Sequence, residues 1–353
     1  MQKISVIGGS GFIGTRLCKR LKGSNRDFFI IDKKVSQTFP EETTVVDVRE
    51  IEGLRKAIKG DVIVNFAAEH RDDVRPKSLY WEVNVKGAEN VCKVAEEKGI
   101  DKIIFTSSVA VYGFTEKETF EDGELRPFND YGITKLEAEK VYINWQKKDP
   151  KRRTLVIIRP TVVFGEGNRG NVYNLLKQIA SGRFVIVGNG KNIKSMAYVE
   201  NVAAFIEYSM TFPPGIHIYN YVDKPDFDMN TLVSTISSYL QTPFSTSEVS
   251  TPEVSTSEVS TSEVEQMVKK FIRIPYSVGL LAGKIFDLIA FITRKKLPIS
   301  SVRIKKFCSN TQFGTSVPKT GFIPPVTLYE GLKRTIRHEF LEPDPNAPIF
   351  YTE

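Results

Sequence analysis

The chain has 353 residues, of which 41% are hydrophobic and 26% are charged. This composition is typical of a folded globular protein and excludes global disorder. The formal net charge of +7 allows three kinds of anionic partner: nucleic acid, an anionic membrane surface or a phosphorylated substrate.

The few cysteines and histidines are scattered along the sequence. Cys18, Cys92 and Cys308 form no CxxC pair, so we expect no disulfide framework and a reducing cytoplasm. The three histidines show no metal-ligand spacing, and no metal site is predicted. There is no signal-peptide pattern, and no uninterrupted apolar run reaches the ~18 residues of a membrane-spanning helix.

Short apolar segments alternate with amphipathic helical segments through the first half of the chain. The predicted strands are residues 4–7, 28–31, 44–46, 62–66, 102–105 and 155–158, and the predicted helices are 12–21, 51–59 and 81–98. This alternation predicts an α/β fold, a Rossmann-type doubly wound parallel sheet covered on both faces. We expect this domain to span residues 1–164.

The pattern becomes less regular after residue 165 and richer in Gly, Pro and Asn. Residues 165–194 and 213–353 are therefore expected to form a smaller C-terminal α/β domain that binds the substrate. A helical stretch from Val199 to Met210 predicts that residues of about 195–212 return to the first domain.

Residues 245–264 contain four copies of a five-residue unit, Ser-Thr-Ser/Pro-Glu-Val. A period of five residues keeps no apolar face on either a helix or a strand. The segment has four glutamates and no basic residue. It is therefore predicted to be a solvated, low-complexity insertion whose copy number can change without loss of activity.

A glycine-rich turn follows the first predicted strand. Gly8, Gly11 and Gly14 have the spacing G-x-x-G-x-x-G and stand where a helix begins. Such glycines let the backbone, here at Phe12 and Ile13, approach a pyrophosphate, which the helix N-terminus then binds. The turn predicts a dinucleotide site.

Acidic residues follow the second and third predicted strands. Asp32 is placed to accept hydrogen bonds from the adenosine ribose and to repel a 2′-phosphate, which favours NAD over NADP. Lys33 and Lys34 follow directly and keep NADP open. Asp47 and Val48 are placed to touch the adenine.

Tyr131 and Lys135 lie four residues apart, so on a helix both side chains can reach one ligand. A free tyrosine, with a pKa of ~10, is a poor base, but a nearby ammonium and a positive nicotinamide ring favour the phenolate. Ser108 follows the fifth predicted strand, at the carboxyl edge where ligands bind, and can hydrogen-bond the reacting oxygen. Its neighbours Thr106 and Ser107 are expected to bond the backbone.

Together these residues resemble the extended short-chain dehydrogenase/reductases, the NAD-dependent epimerase/dehydratase family. Further segments carry the resemblance: Asn65-Phe66-Ala67-Ala68, Asn84-Val85-Lys86-Gly87, Val111-Tyr112-Gly113, Arg159-Pro160-Thr161 and Gly321-Phe322-Ile323-Pro324. The resemblance implies that Tyr131 is the acid/base, that Lys135 binds the nicotinamide ribose, that Ser108 orients the sugar hydroxyl and that Ala67 contacts the cofactor.

Val109 and Ala110 depart from one branch of that family. Sugar 4,6-dehydratases carry an Asp-Glu pair at these places, and neither residue here can act as the acid or base that elimination of water needs. Dehydration and xylose-forming decarboxylation are therefore not expected. A 4-epimerase or a ketoreductase remains.

Longer segments resemble the bacterial epimerases that convert N-acetylglucosaminyl-diphospho-undecaprenol to its N-acetylgalactosaminyl epimer in O-antigen assembly. These segments are residues 67–74, 168–174, 219–225 and 300–308. The implied substrate is a lipid-diphosphate-linked amino sugar; a nucleotide-linked sugar, a ketoreductase using NAD(P)H and a non-catalytic cofactor sensor stay open. Nucleic acid is not an expected partner, because no basic stripe with interleaved aromatic residues appears. A homodimer is compatible with the sequence.

Several polar residues are candidates to hold the substrate. In the related nucleotide-sugar epimerases an arginine binds the diphosphate, and Lys194 occupies that place here. Arg169, Asn171 and Arg303 are further candidates for the phosphates. His70 is a candidate for contact with the substrate near the cofactor.

Residues 278–292 are apolar except for Lys284 and Asp287, and Arg294, Lys295 and Lys296 follow. A segment of 15 residues is too short to span a bilayer. An apolar-faced helix followed by basic residues can instead lie on an anionic membrane, and an ordinary packed helix is the alternative. We expect a cytoplasmic protein that is peripheral on the inner face of the cell membrane.

Overall fold

The computed structural model describes residues 2–71, 74–115, 117–182, 184–241, 271–293 and 301–352. The predicted low-complexity insertion at residues 245–264 lies outside these ranges.

The strands alternate with helices along most of the described chain. The strands are β1 (Ile4–Ile7), β2 (Phe28–Asp32), β3 (Thr43–Val45), β4 (Val62–Asn65), β5 (Lys102–Thr106), β6 (Thr154–Pro160), β7 (Val162–Phe164), β8 (Val185–Val187), β9 (Ile193–Tyr198), β10 (Gly215–Tyr221), β11 (Asp223–Asp228) and β12 (Ile272–Ile274). The α-helices are α1 (Phe12–Gly23), α2 (Ile51–Ala57), α3 (Ser78–Tyr80), α4 (Gly87–Lys98), α5 (Asp130–Lys147), α6 (Asn171–Ala180), α7 (Val199–Ser209), α8 (Met229–Gln241), α9 (Tyr276–Thr293), α10 (Ser301–Cys308) and α11 (Leu328–Ile336). A π-helical turn (Trp81–Lys86) joins α3 to α4, 3-10 helices cover Val109–Tyr112 and Val317–Thr320, and a π-helical turn (Arg337–Leu341) follows α11.

A seven-stranded parallel sheet forms the larger part of the fold, in the order β10-β6-β5-β4-β1-β2-β3. The chain starts in the middle at β1, winds outward to β3, and then returns to build the other half from β4. This reversal places the carboxyl ends of β1 and β4 side by side, and a crevice opens there. The predicted Rossmann-type sheet is confirmed.

The sheet is buried on both faces, which explains why its strands read as continuous apolar runs. Alternate residues of β1 enter separate cores: Ile4 and Val6 pack in one, and Ile7 packs in the other. Helices α1 and α7 cover the first face, and α2, α4 and α5 cover the second.

Strand β10 pairs with β6 at the edge of this sheet. The predicted return segment ended at residue 212 and so omitted this strand. Half-buried and exposed side chains at residues 215–219 interrupt the apolar pattern of β10, because an edge strand has one partner and more solvent.

Much of the rest of the described chain packs around a third core. Strands β11-β9-β7 form a three-stranded sheet, and β8 pairs with β12. Helices α6, α8 and α11 supply apolar side chains to the core between them.

Helix α9 is longer than the predicted apolar segment. It spans 18 residues, with only Gly279 and Gly283 buried, and it packs on α10. By length and composition alone it is long and apolar enough to cross a membrane. The predicted limit of 15 residues was therefore too short, because Tyr276, Ser277 and Thr293 extend the helix at its ends.

Candidate active site

The glycine turn between β1 and α1 is shaped by close approach of backbone to backbone. Gly8 has a φ of +77°, and a Cβ there would lie 2.7 Å from the Ala67 nitrogen. A Cβ on Gly14 would lie 2.6 Å from the Gly9 Cα. Both positions therefore require glycine, and the turn is drawn tightly against the end of β4.

The first turn of α1 has no side-chain cap at Gly11. Its N–H groups and the positive end of its dipole are thus available to an anion. Phe12 and Ile13 supply the first backbone groups of this turn. The uncapped turn fits a dinucleotide pyrophosphate.

The Asp32 carboxylate closes the other side of the turn. Its Oδ2 accepts a hydrogen bond from the Ser10 N–H at 3.0 Å, and its Oδ1 accepts one from the Lys34 N–H at 3.1 Å. Burial raises the pKa of Asp32, against these hydrogen bonds and the charge of Lys33. The carboxylate is held beside the glycine turn, which fits a ribose diol.

The three other predicted cofactor residues flank the same edge of the sheet. Asp47 pairs with the Arg49 guanidinium at 2.8 Å, which lowers the pKa of the carboxyl. Val48 is buried against α4, where it contacts Gly87. The Ala67 N–H donates to Asn65 Oδ1 at 2.9 Å. These positions line the ends of β3 and β4 around the turn, so the chain's residues fit NAD.

Ser108, Tyr131 and Lys135 come together where β5 and the start of α5 meet. Ser108 Oγ accepts a hydrogen bond from the Ala110 N–H at 3.1 Å, and its hydroxyl donates to the Tyr131 phenol. Gly132 allows this approach, because a Cβ there would lie 2.6 Å from the Ala110 oxygen. The Y-G-x-x-K pattern thus also encodes close packing of α5 on the serine loop.

Lys135 is 2% exposed. Its Nζ donates to the Thr106 carbonyl at 2.5 Å and lies 4.2 Å from the centre of the Phe105 ring. Burial lowers the pKa of Lys135 to about 7, although the Glu139 carboxylate acts in the opposite direction. Burial thus opposes the positive charge of Lys135, and the Glu139 carboxylate favours it.

Burial raises the pKa of Tyr131, and the hydrogen bond from Ser108 lowers it by less. The sequence argument expected a lowered pKa. The difference has a physical cause. Desolvation disfavours the phenolate and raises the pKa of Tyr131, whereas the expected lowering relied in part on the positive charge of a bound nicotinamide ring.

A buried ion pair supports the helix that carries Tyr131 and Lys135. Glu139, one turn beyond Lys135, accepts two hydrogen bonds from the Arg159 guanidinium, at 2.9 and 2.6 Å. Arg159 Nη1 also donates to the Tyr112 hydroxyl at 2.6 Å, and this hydroxyl donates to Asn220 Oδ1 at 2.8 Å. The network ties α5 to the serine loop and to β6 and β10.

The hydroxyls of Thr106 and Ser107 were expected to bond the backbone. Both are buried, and neither has a hydrogen-bond partner among the described residues. This expectation was wrong, because nearby carbonyls are already engaged. The Ile158 carbonyl of the neighbouring strand β6 accepts from the Ser107 N–H, and the Thr106 carbonyl accepts from Lys135.

The predicted substrate residues occupy different environments. Lys194 Nζ donates to the Ser309 carbonyl at 2.7 Å, and burial lowers its pKa to about 8. Arg169 pairs with Glu339 at 2.6 Å and stacks on Tyr173, so its charge is already matched.

The remaining candidates are less constrained. Asn171 is exposed at the first turn of α6. Arg303 lies on α10, and its side chain is outside the described part of the structure. His70 is exposed beyond β4, and desolvation by its neighbours lowers the pKa of its imidazole.

Sequence reasoning assigned no role to Glu139 and did not predict that Asn84 would pair with Thr134. Asn84 Nδ2 donates to Thr134 Oγ1 at 2.9 Å, and Asn84 Oδ1 accepts from the Glu69 N–H at 2.8 Å. These bonds link α5 to the loop after β4. The signal that could have found them is a polar residue at a helix position that the apolar pattern predicts to be buried. Among the described residues, no group of three or more His, Cys, Asp or Glu could hold a metal ion.

Comparison with known proteins gives consistent matches. A model of the NAD dependent epimerase/dehydratase family matches residues 4–220. The chain is 47% identical over 355 residues, 99% of each chain, to the N-acetyl-alpha-D-glucosaminyl-diphospho-ditrans,octacis-undecaprenol 4-epimerase of Escherichia coli O157:H7. It is 27% identical over 256 residues to the UDP-glucose 4-epimerase of Vibrio cholerae, covering 69% of this chain and 77% of that protein.

The fold also matches solved structures. The UDP-glucose 4-epimerase of Thermus thermophilus, solved with NAD, superposes with a TM-score of 0.68 at 17% identity and covers 95% of this chain and 98% of that chain. At this identity the match establishes the fold.

Proposed function

Because the chain belongs to the NAD dependent epimerase/dehydratase family, we propose that it is a sugar 4-epimerase that interconverts N-acetylglucosamine and N-acetylgalactosamine on undecaprenyl diphosphate. The observation that carries the proposal is the 47% identity along 99% of both chains to the Escherichia coli epimerase of that lipid-linked sugar. Val109 and Ala110 support it, since they leave the site without the acid and base of a dehydratase.

The proposed chemistry uses the cluster at the start of α5. Tyr131 takes the proton of the C4 hydroxyl while C4 gives up a hydride, and Ser108 holds the same hydroxyl by a hydrogen bond. The resulting 4-keto sugar would turn over in the cleft, C4 would receive hydride on its opposite face, and Tyr131 would return the proton to the C4 oxygen. When bound, NAD supplies reversible hydride acceptance and a positive ring that favours the Tyr131 phenolate.

Lys135 supplies the second positive charge beside Tyr131. Its Nζ is fixed by the Thr106 carbonyl, which leaves its other protons for the ribose of the cofactor. The Glu139 carboxylate raises the pKa of Lys135 against burial and so favours the ammonium. Arg159 in turn holds Glu139 in place.

A deuterium-transfer experiment tests this reaction. The purified enzyme receives undecaprenyl-diphospho-N-acetylglucosamine deuterated at C4, with no added cofactor, and the product is analysed by mass spectrometry and NMR. We expect the N-acetylgalactosaminyl epimer with deuterium retained at C4. Loss of deuterium to solvent, or a need for stoichiometric NAD(P)H, would contradict an epimerase and favour a ketoreductase.

The exposed face of α9 supports a proposed attachment to the membrane surface. Large apolar side chains recur on one face at helical spacing, at Val278, Leu281, Ile285, Leu288 and Ile292, and all are exposed. Across the helix, Gly279 and Gly283 pack against Val187 and Ser301. A helix held on one side and apolar on the other is suited to lie in a bilayer interface.

Lys194 is connected to α9 through helix α10. Helix α10, on which α9 packs, is followed by Ser309, whose carbonyl accepts the hydrogen bond from Lys194 Nζ. A diphosphate held at Lys194 would thus lie close to the membrane-facing helix. We propose that the lipid stays in the bilayer while its sugar enters the cleft, and that Arg294, Lys295 and Lys296 add attraction to anionic headgroups.

Flotation with phosphatidylcholine/phosphatidylglycerol vesicles tests the attachment. We expect the wild-type protein to float at low salt and to be released by alkaline carbonate, as a peripheral protein is. Replacing Leu281 and Ile285 by glutamate is expected to abolish flotation. The matched control is Ile323→Glu, at an isoleucine 83% exposed elsewhere on the surface. A wild-type protein that stays soluble at low salt would contradict the proposal, and one that resists carbonate would show insertion instead.

A further inference from the structure

Residues 347–352, which we call the C-terminal strap, run against the loop between β7 and α6. The Phe350 N–H donates to the Gly167 carbonyl at 2.8 Å, and the Arg169 N–H donates to the Phe350 carbonyl at 2.8 Å. The strap is therefore paired with the loop on both sides of Phe350.

The loop is shaped to receive the strap. A Cβ on Gly167 would lie 2.5 Å from the Pro348 oxygen, and a Cβ on Gly170 would lie 2.5 Å from Thr352 Oγ1. Thr352 Oγ1 also donates to Asn168 Oδ1 at 2.6 Å. Because these two glycines have no side chain, the loop leaves the space that the strap fills. The contact thus depends on residues of both the loop and the strap.

The other side of the strap reaches the cofactor region. The Phe350 ring lies 5.7 Å, centre to centre, from the ring of Phe12, the first residue of α1 beyond the glycine turn. The His70 imidazole, beyond the end of β4, hydrogen-bonds the Thr352 backbone. The strap thus joins the glycine turn, the end of β4 and the substrate-side loop across one cleft.

From this geometry we infer that the C-terminal strap is part of the NAD site and retains the cofactor between turnovers. Its Phe350 ring packs on Phe12 in the first turn of α1, the turn that fits the dinucleotide phosphates, and we take the strap to hinder their release from there. This inference rests on the proposed function, because an epimerase returns each hydride that it takes and its cofactor has no need to exchange.

Phe350 and its neighbour Tyr351 offer a matched pair of variants. Phe350 packs on Phe12, whereas Tyr351 is 75% exposed. The readout is the NAD retained per chain after gel filtration, measured by mass spectrometry of the denatured protein, together with the rate of NAD release. We expect Phe350→Ala to release NAD about tenfold faster or more, as loss of an aromatic contact implies, and Tyr351→Ala to match the wild type.

Gly170→Ala disturbs the strap in a second way and keeps the test valid if Phe350→Ala fails to fold. Gly170 has an ordinary φ of −113°, so Gly170→Ala acts through contacts of the new Cβ, which would lie 2.5 Å from Thr352 Oγ1 and 3.2 Å from Asn168 Oδ1. We expect this variant to lose NAD as Phe350→Ala does, with a melting temperature near that of the NAD-free wild type, and added NAD to restore activity to both.

Two results would overturn the inference. One is NAD release from both variants at the wild-type rate. The other is a loss of activity with NAD fully retained, which would place the strap on the substrate. Failure of the proposed function can be distinguished from failure of this inference. If the wild-type protein holds NAD but does not epimerise the lipid-linked sugar, NAD retention can still be measured in the variants.

Discussion

At the scale of single residues, the site depends on which hydroxyl of the Thr106-Ser107-Ser108 run meets Tyr131. The sequence predicted Ser108 from its place at the end of the fifth strand and from the family resemblance, and the structure brings Ser108 into a hydrogen bond with Tyr131. Within the part of the chain that the structure describes, the other two hydroxyls have no hydrogen-bond partner. This was not predictable, because it depends on which carbonyls the neighbouring strands already engage.

Ser108→Ala and Ser107→Ala form a matched pair. We expect Ser108→Ala to lower kcat by about 10²-fold or more, because it removes a hydrogen bond to the reacting oxygen and to Tyr131. Ser107→Ala removes a hydroxyl that has no hydrogen-bond partner among the described residues, and its kcat should stay within about threefold of the wild type. Steady-state kinetics of both variants check this, and equal losses would argue against the assigned role of Ser108.

The lowered pKa of Lys135 predicts that the stability of the folded protein rises with pH. Its pKa of about 7 in the folded protein lies below the ordinary value of 10.5, so the unfolded chain binds more protons between these values and stability rises with pH across the window. We therefore expect the melting temperature of the wild type, relative to Lys135→Met, to increase from pH 6 to pH 9 in the NAD-free protein. A difference that does not change with pH would show that Lys135 titrates normally.

At the scale of elements, the early strands and helices were predictable because each carries its own pattern. β1 was predicted with its observed bounds, and β2, β4 and β5 to within a residue, since fully buried parallel strands are continuous apolar runs. The three-stranded sheet and β10 were not predicted. Their strands are short or alternate with polar residues, and their pairing joins segments distant in the chain.

Helix α1 offers a test with an internal control. Gly14→Ala would place a Cβ 2.6 Å from the Gly9 Cα, whereas a Cβ on Gly23 meets nothing within 4 Å. We expect Gly14→Ala to disrupt the turn and lose bound NAD, and Gly23→Ala to keep NAD and gain up to ~1 kcal/mol from helix propensity. NAD content and chemical denaturation measure the two effects. Retention of NAD by Gly14→Ala would contradict the tight turn.

Helix α5 depends on the buried pair between Glu139 and Arg159. Glu139→Gln leaves the guanidinium without its counter-charge, and we expect a loss of about 3–5 kcal/mol in unfolding free energy. Replacing both residues by methionine removes the two charges together and should recover most of that loss. Urea denaturation measures both variants. A double variant no more stable than Glu139→Gln would show that packing, not charge pairing, holds the helix.

At the scale of the whole molecule, the net charge of +7 first allowed three anionic partners. By our proposal, two of these remain: the diphosphate of the lipid-linked sugar and the membrane surface on which that sugar is presented. The exposed face of α9 could be anticipated from its apolar composition. Its orientation could not, because that is fixed by Gly279 and Gly283 packing on distant segments.

The central claim is that the sugar is carried on undecaprenyl diphosphate. A side-by-side comparison of two carriers tests this claim most directly. The purified protein, with no added cofactor, receives N-acetylglucosamine linked to undecaprenyl diphosphate and, in parallel, UDP-N-acetylglucosamine, and the rate of epimerisation is measured for each. We predict conversion of the lipid-linked sugar with a kcat/KM at least about 10²-fold higher, the size of effect that a few substrate contacts give. Epimerisation of the UDP sugar alone would contradict the account.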